Sequence, residues 1–181
     1  MTISYAGLLP RLKAFLWDYL IIAGYIVLLA IISLLLLNGP FRQQAAGIFN
    51  NPTLYDLFAF LTLVFPVILY FTLQESSSSQ ATWGKRKIGI RVVKADNRRL
   101  SIGGAFLRSV IKYLPWQIAH TCLFQMKVWT GAPGVNSPWL SAGLVLAWVL
   151  AGSYLVTMLV TKTHQTPYDW LAGSYVIVVK D

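Results

Sequence analysis

The sequence predicts an all-α membrane protein with about four transmembrane helices and a small cytoplasmic β-hairpin-like element. Of its 181 residues, 56% are hydrophobic and only 12% are charged, a composition too apolar for a soluble domain of this size. Four apolar segments reach the roughly 20 residues that a helix needs to cross a bilayer. A single cysteine excludes a disulfide-stapled secreted domain. Residues 1–181 are therefore predicted to form one membrane domain.

The predicted spans cover residues 12–37, 54–73, 105–124 and 139–160. The first is not expected to be a signal peptide, because its apolar run after Asp18 exceeds the roughly 7–15 residues of such regions. The third is unusual because it contains polar and charged side chains, namely Arg108, Lys112, Gln117 and His120. If it lay on the membrane surface instead, the C-terminal tail, residues 161–181, would face outside.

Basic residues predict that both termini lie inside the cell, because Lys and Arg collect in cytoplasmic loops. With four spans, every basic residue except Arg42 and Lys127 lies on or near the cytoplasmic side, including Lys162 and Lys180 in the tail. This orientation accounts for the net charge of +9, so no nucleic-acid partner is predicted.

The cytoplasmic linker, residues 75–104, is predicted to begin as a polar, flexible segment (ESSSSQ, residues 75–80) and then to form a strand. Apolar residues recur at positions 88, 90 and 92, which is the period of a half-buried strand, and residues 95–98 supply a turn. The tail has a second β-rich run at residues 175–179. A two-stranded pairing is therefore expected on the cytoplasmic side.

Seven basic residues lie close together in this linker. One interpretation is contact with the headgroups of anionic membrane lipids, worth about 1 kcal/mol per basic residue near the surface. The other is that these residues only determine topology and remain in water. The set consists of Lys85, Arg86, Lys87, Arg91, Lys94, Arg98 and Arg99.

Ionisable residues within the spans need an explanation, since each costs roughly 2.5–3.5 kcal/mol at a helix centre. Asp18 lies near the start of the first span, and Arg108 and Lys112 share one face near the start of the third. We expect Asp18 to face one of these two bases. The group is either a proton or cation site in which Asp18 changes partner, or a structural ion pair between the two spans.

Other patterns predict structural roles. Thr53 with Asp56 three residues later fits a capping box at the start of the second span. Small residues at positions 143, 147 and 151 allow close helix packing, within the chain in preference to between copies.

His120 and Cys122 cannot share a helix face, so no metal or other cofactor is predicted. No nucleophile–base set is present, so the chain is not expected to be an enzyme.

Three segments of the chain together resemble the RDD family, bacterial membrane proteins named for an arginine and two aspartates. The segments are PRLKAFLWDYLII near the start, TWGKRKIGIRVVKADNRRLSIGGAFLR in the middle and HQTPYDWLAGSYVIV at the end. The resemblance matches the naming arginine to Arg11 and the naming aspartates to Asp18 and Asp169. It also matches Gly84 and Lys85 to the glycine-lysine loop motif of the family.

Arg108 resembles the arginine that opens the next helix, and residues 172 and 173 match the closing Ala-Gly pair. His164 replaces a basic residue often found before the closing aspartate, and Pro167 interrupts the helical approach to Asp169. These departures put in doubt a family salt bridge at that point. Asp169 is otherwise expected at the inner interface, within reach of Arg11 or Lys85.

The resemblance implies a bacterial cytoplasmic (inner) membrane protein that takes part in transport. Some members are similar to monovalent cation/proton antiporters, which suggests an exchange site at Arg11, Asp18, Arg108 and Asp169. A homo-oligomer is expected, because four spans enclose little space. The alternative function is a non-transporting scaffold or accessory subunit in which the arginine–aspartate network is structural.

Overall fold

The computed structural model describes residues 4–126 and 137–179, so Lys127 and Lys180 of the orientation argument lie outside the described residues. In chain order the helices and strands are α1 (Leu8–Asn38), α2 (Arg42–Asn50), α3 (Pro52–Ala59), α4 (Phe65–Ser76), α5 (Trp83–Ile88), β1 (Ile90–Lys94), α6 (Ile102–Gln125), α7 (Pro138–Val160), α8 (Pro167–Leu171) and β2 (Ser174–Val178). A π-helical turn, Phe60–Val64, joins α3 to α4 into one continuous helix. The predicted combination of long helices with a small two-stranded element is confirmed.

Three helices are long and apolar enough to cross a membrane: Leu8–Asn38, Pro52–Ser76 and Pro138–Val160. They contain the predicted first, second and fourth spans. Large apolar side chains on them face outwards, for example Leu35 at 67% and Trp148 at 78% exposure. A surface of this kind is stable when it contacts lipid rather than water.

Helix α6 contains the predicted third span but differs from the other three in composition. Its 24 residues extend about 36 Å, which is long enough to cross a bilayer. Arg108 on this helix is only 2% exposed, because α6 packs between α4 and α7. The polar residues that lower its hydropathy therefore face protein.

Helices α6 and α7 approach closely at Gly143. A Cβ added there would lie 2.5 Å from the Sγ of Cys122 on α6, so only glycine fits without a shift of its neighbours. Ala147, one turn later, is also buried. The small residues at these two positions thus pack within the chain, as predicted, whereas Ala151 is exposed.

The π-helical turn has a local cause in the sequence. Pro66 has no backbone N–H, so the carbonyl of Thr62 lacks its usual α-helical donor. The hydroxyl of Tyr25 on α1 donates to that carbonyl instead. The turn therefore exposes a backbone acceptor that helps to join α1 to the second span.

The predicted two-stranded pairing is confirmed. Strands β1 and β2 are antiparallel, with Val92 opposite Val176 and Lys94 opposite Ser174. They do not form a hairpin, because α6, α7 and α8 lie between them in the chain. The turn after β1 is also as predicted, with Asn97 at a φ of 62° and the N–H of Lys94 donating to the carbonyl of Arg98.

The predicted start of the first strand was wrong by two residues. Residues 83–88 form α5, a short basic helix that the alternating apolar pattern did not indicate. Gly89 ends it with a φ of 70°, in the left-handed region that glycine adopts without strain. The strand begins only at Ile90.

The sheet packs against the beginnings of α1 and α6. Its core consists of small and β-branched residues, including Ala14, Ile90, Val92, Ala105 and Val176. Helices α1 and α6 begin at this sheet, while α4 and α7 end near it. One end of the molecule, called here the sheet end, therefore gathers the termini of all four long helices.

Candidate functional site

Asp169 forms the centre of a buried ion-pair network at the sheet end. Its carboxylate accepts hydrogen bonds from Arg11 Nη1 at 2.7 Å and from Arg108 Nη2 at 2.7 Å, and it is fully buried. Burial alone would raise the pKa of Asp169. The charges of Arg108 and Arg11 outweigh this effect and hold the pKa well below its usual range.

The position of Asp169 follows from the residues that precede it. Pro167 occupies the first turn of α8, where a missing N–H costs no hydrogen bond. The N–H and hydroxyl of Thr166 both donate to Asp169 Oδ2, at 3.1 and 2.9 Å. Pro167 therefore begins the helix that presents Asp169, and the doubt that it raised about a salt bridge is removed.

Glu75 is the residue of the network that the sequence analysis missed. It was assigned to a flexible polar segment, but it lies in the last turn of α4 and is fully buried. Lys85 Nζ donates to its Oε1 at 2.6 Å, and Arg108 Nη1 donates to its Oε2. An acid at the end of an apolar span, just before a strongly basic linker, was the available signal.

Arg108 joins the two acids of the network. One of its nitrogens donates to Glu75, while Nε and Nη2 donate to Asp169 Oδ1 at 2.9 and 2.7 Å. Its guanidinium also lies 5.1 Å from the centroid of the Tyr168 ring. A planar guanidinium can serve two carboxylates and an aromatic face at once, which lysine cannot.

The expected pairing of Asp18 with Arg108 or Lys112 was wrong. Asp18 is 1% exposed and has no Lys or Arg nitrogen within salt-bridge distance in residues 4–126 and 137–179. Instead, its carboxylate accepts from the Thr82 hydroxyl at 2.6 Å, the Gly84 N–H at 2.7 Å and the Tyr70 hydroxyl at 2.9 Å. Neutral donors, rather than bases, therefore satisfy this buried acid.

These contacts attach α5 to α1. Thr82 is the N-cap residue of α5, so Asp18 binds the cap and the first turn of the short helix. At Gly84 a Cβ would lie 2.0 Å from the carbonyl oxygen of Ala14 and 2.9 Å from Asp18 Cγ. The glycine of the predicted loop motif is thus required by a close approach of the two helix backbones.

The structure removes Lys85 from the predicted lipid-contact set. Its side chain is nearly buried and paired with Glu75, so it does not reach the surface. Arg91 is only partly exposed, and its Nε is buried without a partner among the described residues. The remaining members are exposed and stay a prediction: Arg86, Lys87, Lys94, Arg98 and Arg99.

The capping role predicted for Thr53 and Asp56 was wrong. Asn51 is the cap of α3, and its side chain accepts from the N–H of Thr53 at 3.0 Å. Asp56 instead accepts from Gln117 Nε2 at 3.2 Å and from the Thr121 hydroxyl at 2.8 Å, both on α6. It therefore connects two long helices far from the sheet end.

A cavity of about 180 Å³ adjoins the ion-pair network. Its charged lining consists of Arg11, Asp18, Lys85, Arg108 and Lys112, and its apolar lining includes Leu8, Leu12, Phe15, Phe71 and Met158. The Lys112 ammonium lies 3.6 Å from the centroid of the Phe71 ring. Arrangements of this kind, with polar groups converging on a largely apolar cavity, are typical of small-ligand sites.

Residues 5–173 match the model of the RDD family, which is nearly the whole chain. The chain belongs to the RDD family. The predicted resemblance is therefore confirmed. This RDD-family chain is also 29% identical over 104 residues to the uncharacterized protein YxaI of Bacillus subtilis (strain 168), an alignment that covers 54% of this chain and 69% of that protein.

The three residues that resemble the family's naming residues have different roles in this RDD chain. Arg11 and Asp169 form a direct ion pair that joins α1 to α8. Asp18 is separate from that pair and holds α5 through neutral donors. The sequence analysis placed these three residues at one end of the molecule, where they lie, but predicted the partner of Asp18 incorrectly.

Proposed function

We propose that the chain is a multi-pass protein of the bacterial cytoplasmic membrane with four spans and both termini inside. The length of α6 and its position between α4 and α7 support a fourth span. The exposed basic residues after α5 lie at the sheet end, which by the positive-inside rule belongs in the cytoplasm.

We further propose that this protein is a small solute transporter whose binding site is the cavity at the sheet end. The observation that carries this proposal is the convergence of five acidic and basic residues on one cavity between long helices. Charged groups within membrane segments are costly, and they are commonly retained along substrate or ion pathways.

Monovalent cation/proton exchange through Asp18 is the weaker version of this proposal. Asp18 accepts three hydrogen bonds from neutral donors, so a cation would have to replace contacts that hold α5 in place. Arg108 is likewise engaged with Asp169 and Glu75, and Asp169 is engaged with Arg108 and Arg11. The geometry therefore favours a structural role for Asp18, Arg108 and Asp169 over cation binding.

A non-transporting scaffold is the second candidate function. It is favoured by the dense pairing of the acids, because a network that only fixes the helix ends needs no spare groups. In this case the exposed basic surface after α5 would be the docking surface for a partner or for anionic lipid.

A flux assay in proteoliposomes separates these functions. One set of vesicles, containing a pH-sensitive dye, receives gradients of sodium, lithium or potassium. A second set is shrunk with potassium phosphate or potassium 1-butanesulfonate in the presence of valinomycin, so that reswelling reports anion entry. Wild type is compared with Asp18→Asn and with empty vesicles at matched, verified protein incorporation.

We expect wild-type vesicles to pass at least one solute faster than empty vesicles. A cation-dependent proton flux that Asp18→Asn abolishes would establish the exchange version. Wild-type rates equal to those of empty vesicles in every arm would reject the transport proposal for these solutes and favour the scaffold.

A further inference from the structure

The charges around the cavity do not balance. Among the residues that the structure describes, the three acids of the region are Asp18, Glu75 and Asp169, and all are buried. Four bases accompany them, since Arg11, Lys85 and Arg108 form ion pairs and Lys112 lines the same cavity. Four formal positive charges against three negative ones leave one positive charge unmatched.

Lys112 is the base of this region that has no acidic partner among the described residues. No carboxylate in the described part of the chain lies within 4.0 Å of its ammonium, which instead lies over the face of Phe71. A cation–π contact of this kind offsets part of the desolvation cost of an ammonium. It leaves the three N–H donors without a hydrogen-bond acceptor from described residues.

A second donor group without an acceptor lies beside the same cavity, and it belongs to Arg11. Its Nε donates to the carbonyl of Ala6 and its Nη1 donates to Asp169. Its Nη2 is buried without a partner among the described residues, on a side chain that is only 9% exposed. A buried donor without an acceptor costs roughly 1–3 kcal/mol, so an acceptor in the cavity would lower the energy of this arrangement.

The rest of the lining indicates the shape of a suitable ligand. Leu12, Phe15 and Met158 make much of the wall apolar. The volume of about 180 Å³ is below the roughly 300–1,000 Å³ typical of drug-sized ligand sites. A small ligand with one acidic group and an apolar portion would match both parts of the lining.

We propose that the cavity binds a monoanionic head group, a carboxylate, sulfonate or phosphate, and that Lys112 recognises its charge. Such an anion would neutralise the region and supply acceptors for Lys112 and Arg11. The further step, that the bound anion is also the transported solute, rests on the proposed transport function. Either a soluble organic anion or a lipid headgroup can supply the same chemistry.

The test measures binding separately from flux. The thermal unfolding midpoint of the detergent-solubilised full chain is followed during titration with 1-butanesulfonate or inorganic phosphate, with ionic strength held constant by potassium chloride. A parallel arm titrates mixed micelles that contain phosphatidic acid. The compared proteins are wild type, Lys112→Gln, Lys112→Arg and Lys162→Gln, which changes an exposed lysine outside both the cavity and the predicted lipid-contact set.

We expect at least one probe to raise the midpoint of wild type and of Lys162→Gln. Lys112→Gln should lower the affinity for that probe about tenfold or more, because one charge-assisted hydrogen bond is lost. Lys112→Arg should keep the affinity close to that of wild type. A response only to phosphatidic acid would identify a lipid headgroup as the source. A response to butanesulfonate or phosphate would identify a soluble anion.

The inference is overturned if every probe acts equally on wild type and Lys112→Gln, or if no probe stabilises wild type. If Lys112→Gln does not fold, Lys112→Met takes its place in the comparison, because methionine keeps much of the length of lysine in a largely apolar cavity but has no ammonium group. Anion binding without flux would support this inference and reject transport. Flux without any effect of the anion probes on stability would support transport and overturn this inference.

Discussion

At the scale of single residues, Arg108 explains how so much charge is stable inside an apolar molecule. It is 2% exposed, yet it donates to both Glu75 and Asp169. Removing a single partner from such a network leaves a buried charge uncompensated, which costs more than the network itself contributes. Each acid is therefore indispensable once the bases are in place.

Asp169→Asn tests this view of the network. The substitution leaves Arg11 and Arg108 each short of a negative partner, and we expect a loss of about 3–5 kcal/mol in the free energy of unfolding. The measurement is the thermal or denaturant unfolding midpoint of the detergent-solubilised protein near neutral pH. Asp96→Asn, which affects an exposed salt bridge with Arg98, is the control and should change stability little.

The pH dependence of stability gives a second readout for the same variant. Because the pKa of folded Asp169 is depressed, its ionised form stabilises the protein above the ordinary aspartate pKa near about 4. This contribution is lost as the pH falls from that value towards the lower folded pKa. Asp169→Asn should therefore reduce the loss of stability in acid, and an unchanged acid profile would contradict this account.

At the scale of elements, α5 depends on tertiary contacts for its existence. A helix of six residues is far too short to be stable alone. It is held by the cap residue Thr82, by the bond from Gly84 to Asp18, and by close contact with α1. The alternating apolar pattern nearby therefore described the following strand but not this helix.

Gly84→Ala tests the docking of α5 on α1. The added methyl group would overlap the carbonyl oxygen of Ala14, so we expect a lower unfolding midpoint and less folded protein in the membrane. Gly24→Ala is a matched control within α1, because nothing lies within 4 Å of the position that its added methyl group would take. Alanine should be tolerated there or stabilise the helix.

Equal midpoints for the two glycine variants would show that the backbones can separate at Gly84 without cost. A selective loss in Gly84→Ala would show that the family loop motif serves helix packing.

At the scale of the whole molecule, the charged groups described above are concentrated at one end of the long helices. The sheet, the ion-pair network and the exposed basic residues share the sheet end. Between the ends, the three apolar helices present large hydrophobic side chains to their surroundings. This distribution supports the proposed orientation, in which the sheet end is on the cytoplasmic side.

Cysteine labelling tests that orientation and the number of spans. In a Cys122→Ala background, single cysteines replace the exposed residues Gln43, Asn97 and Lys162. We expect an impermeant maleimide to label Gln43→Cys in intact cells, and the other two only after the membrane is permeabilised. Labelling of Lys162→Cys in intact cells would mean that α6 does not cross the membrane.

The mostly helical class, the four long helices, the strand pairing and the family could all be predicted from the sequence. These features depend on hydropathy, local periodicity and short motifs, which a single chain displays directly. The cost of charge within apolar spans singled out Asp18 and Arg108, and the family resemblance singled out Arg11 and Asp169.

The partners of those charges could not be predicted, because they depend on the tertiary structure. Asp18 binds Thr82, Gly84 and Tyr70, whereas Glu75, which looked like part of a loop, pairs with Lys85 and Arg108. These contacts join residues from 10 to 66 positions apart. Hydropathy and periodicity do not report which distant groups meet, because that is set by how the helices pack and where each one ends.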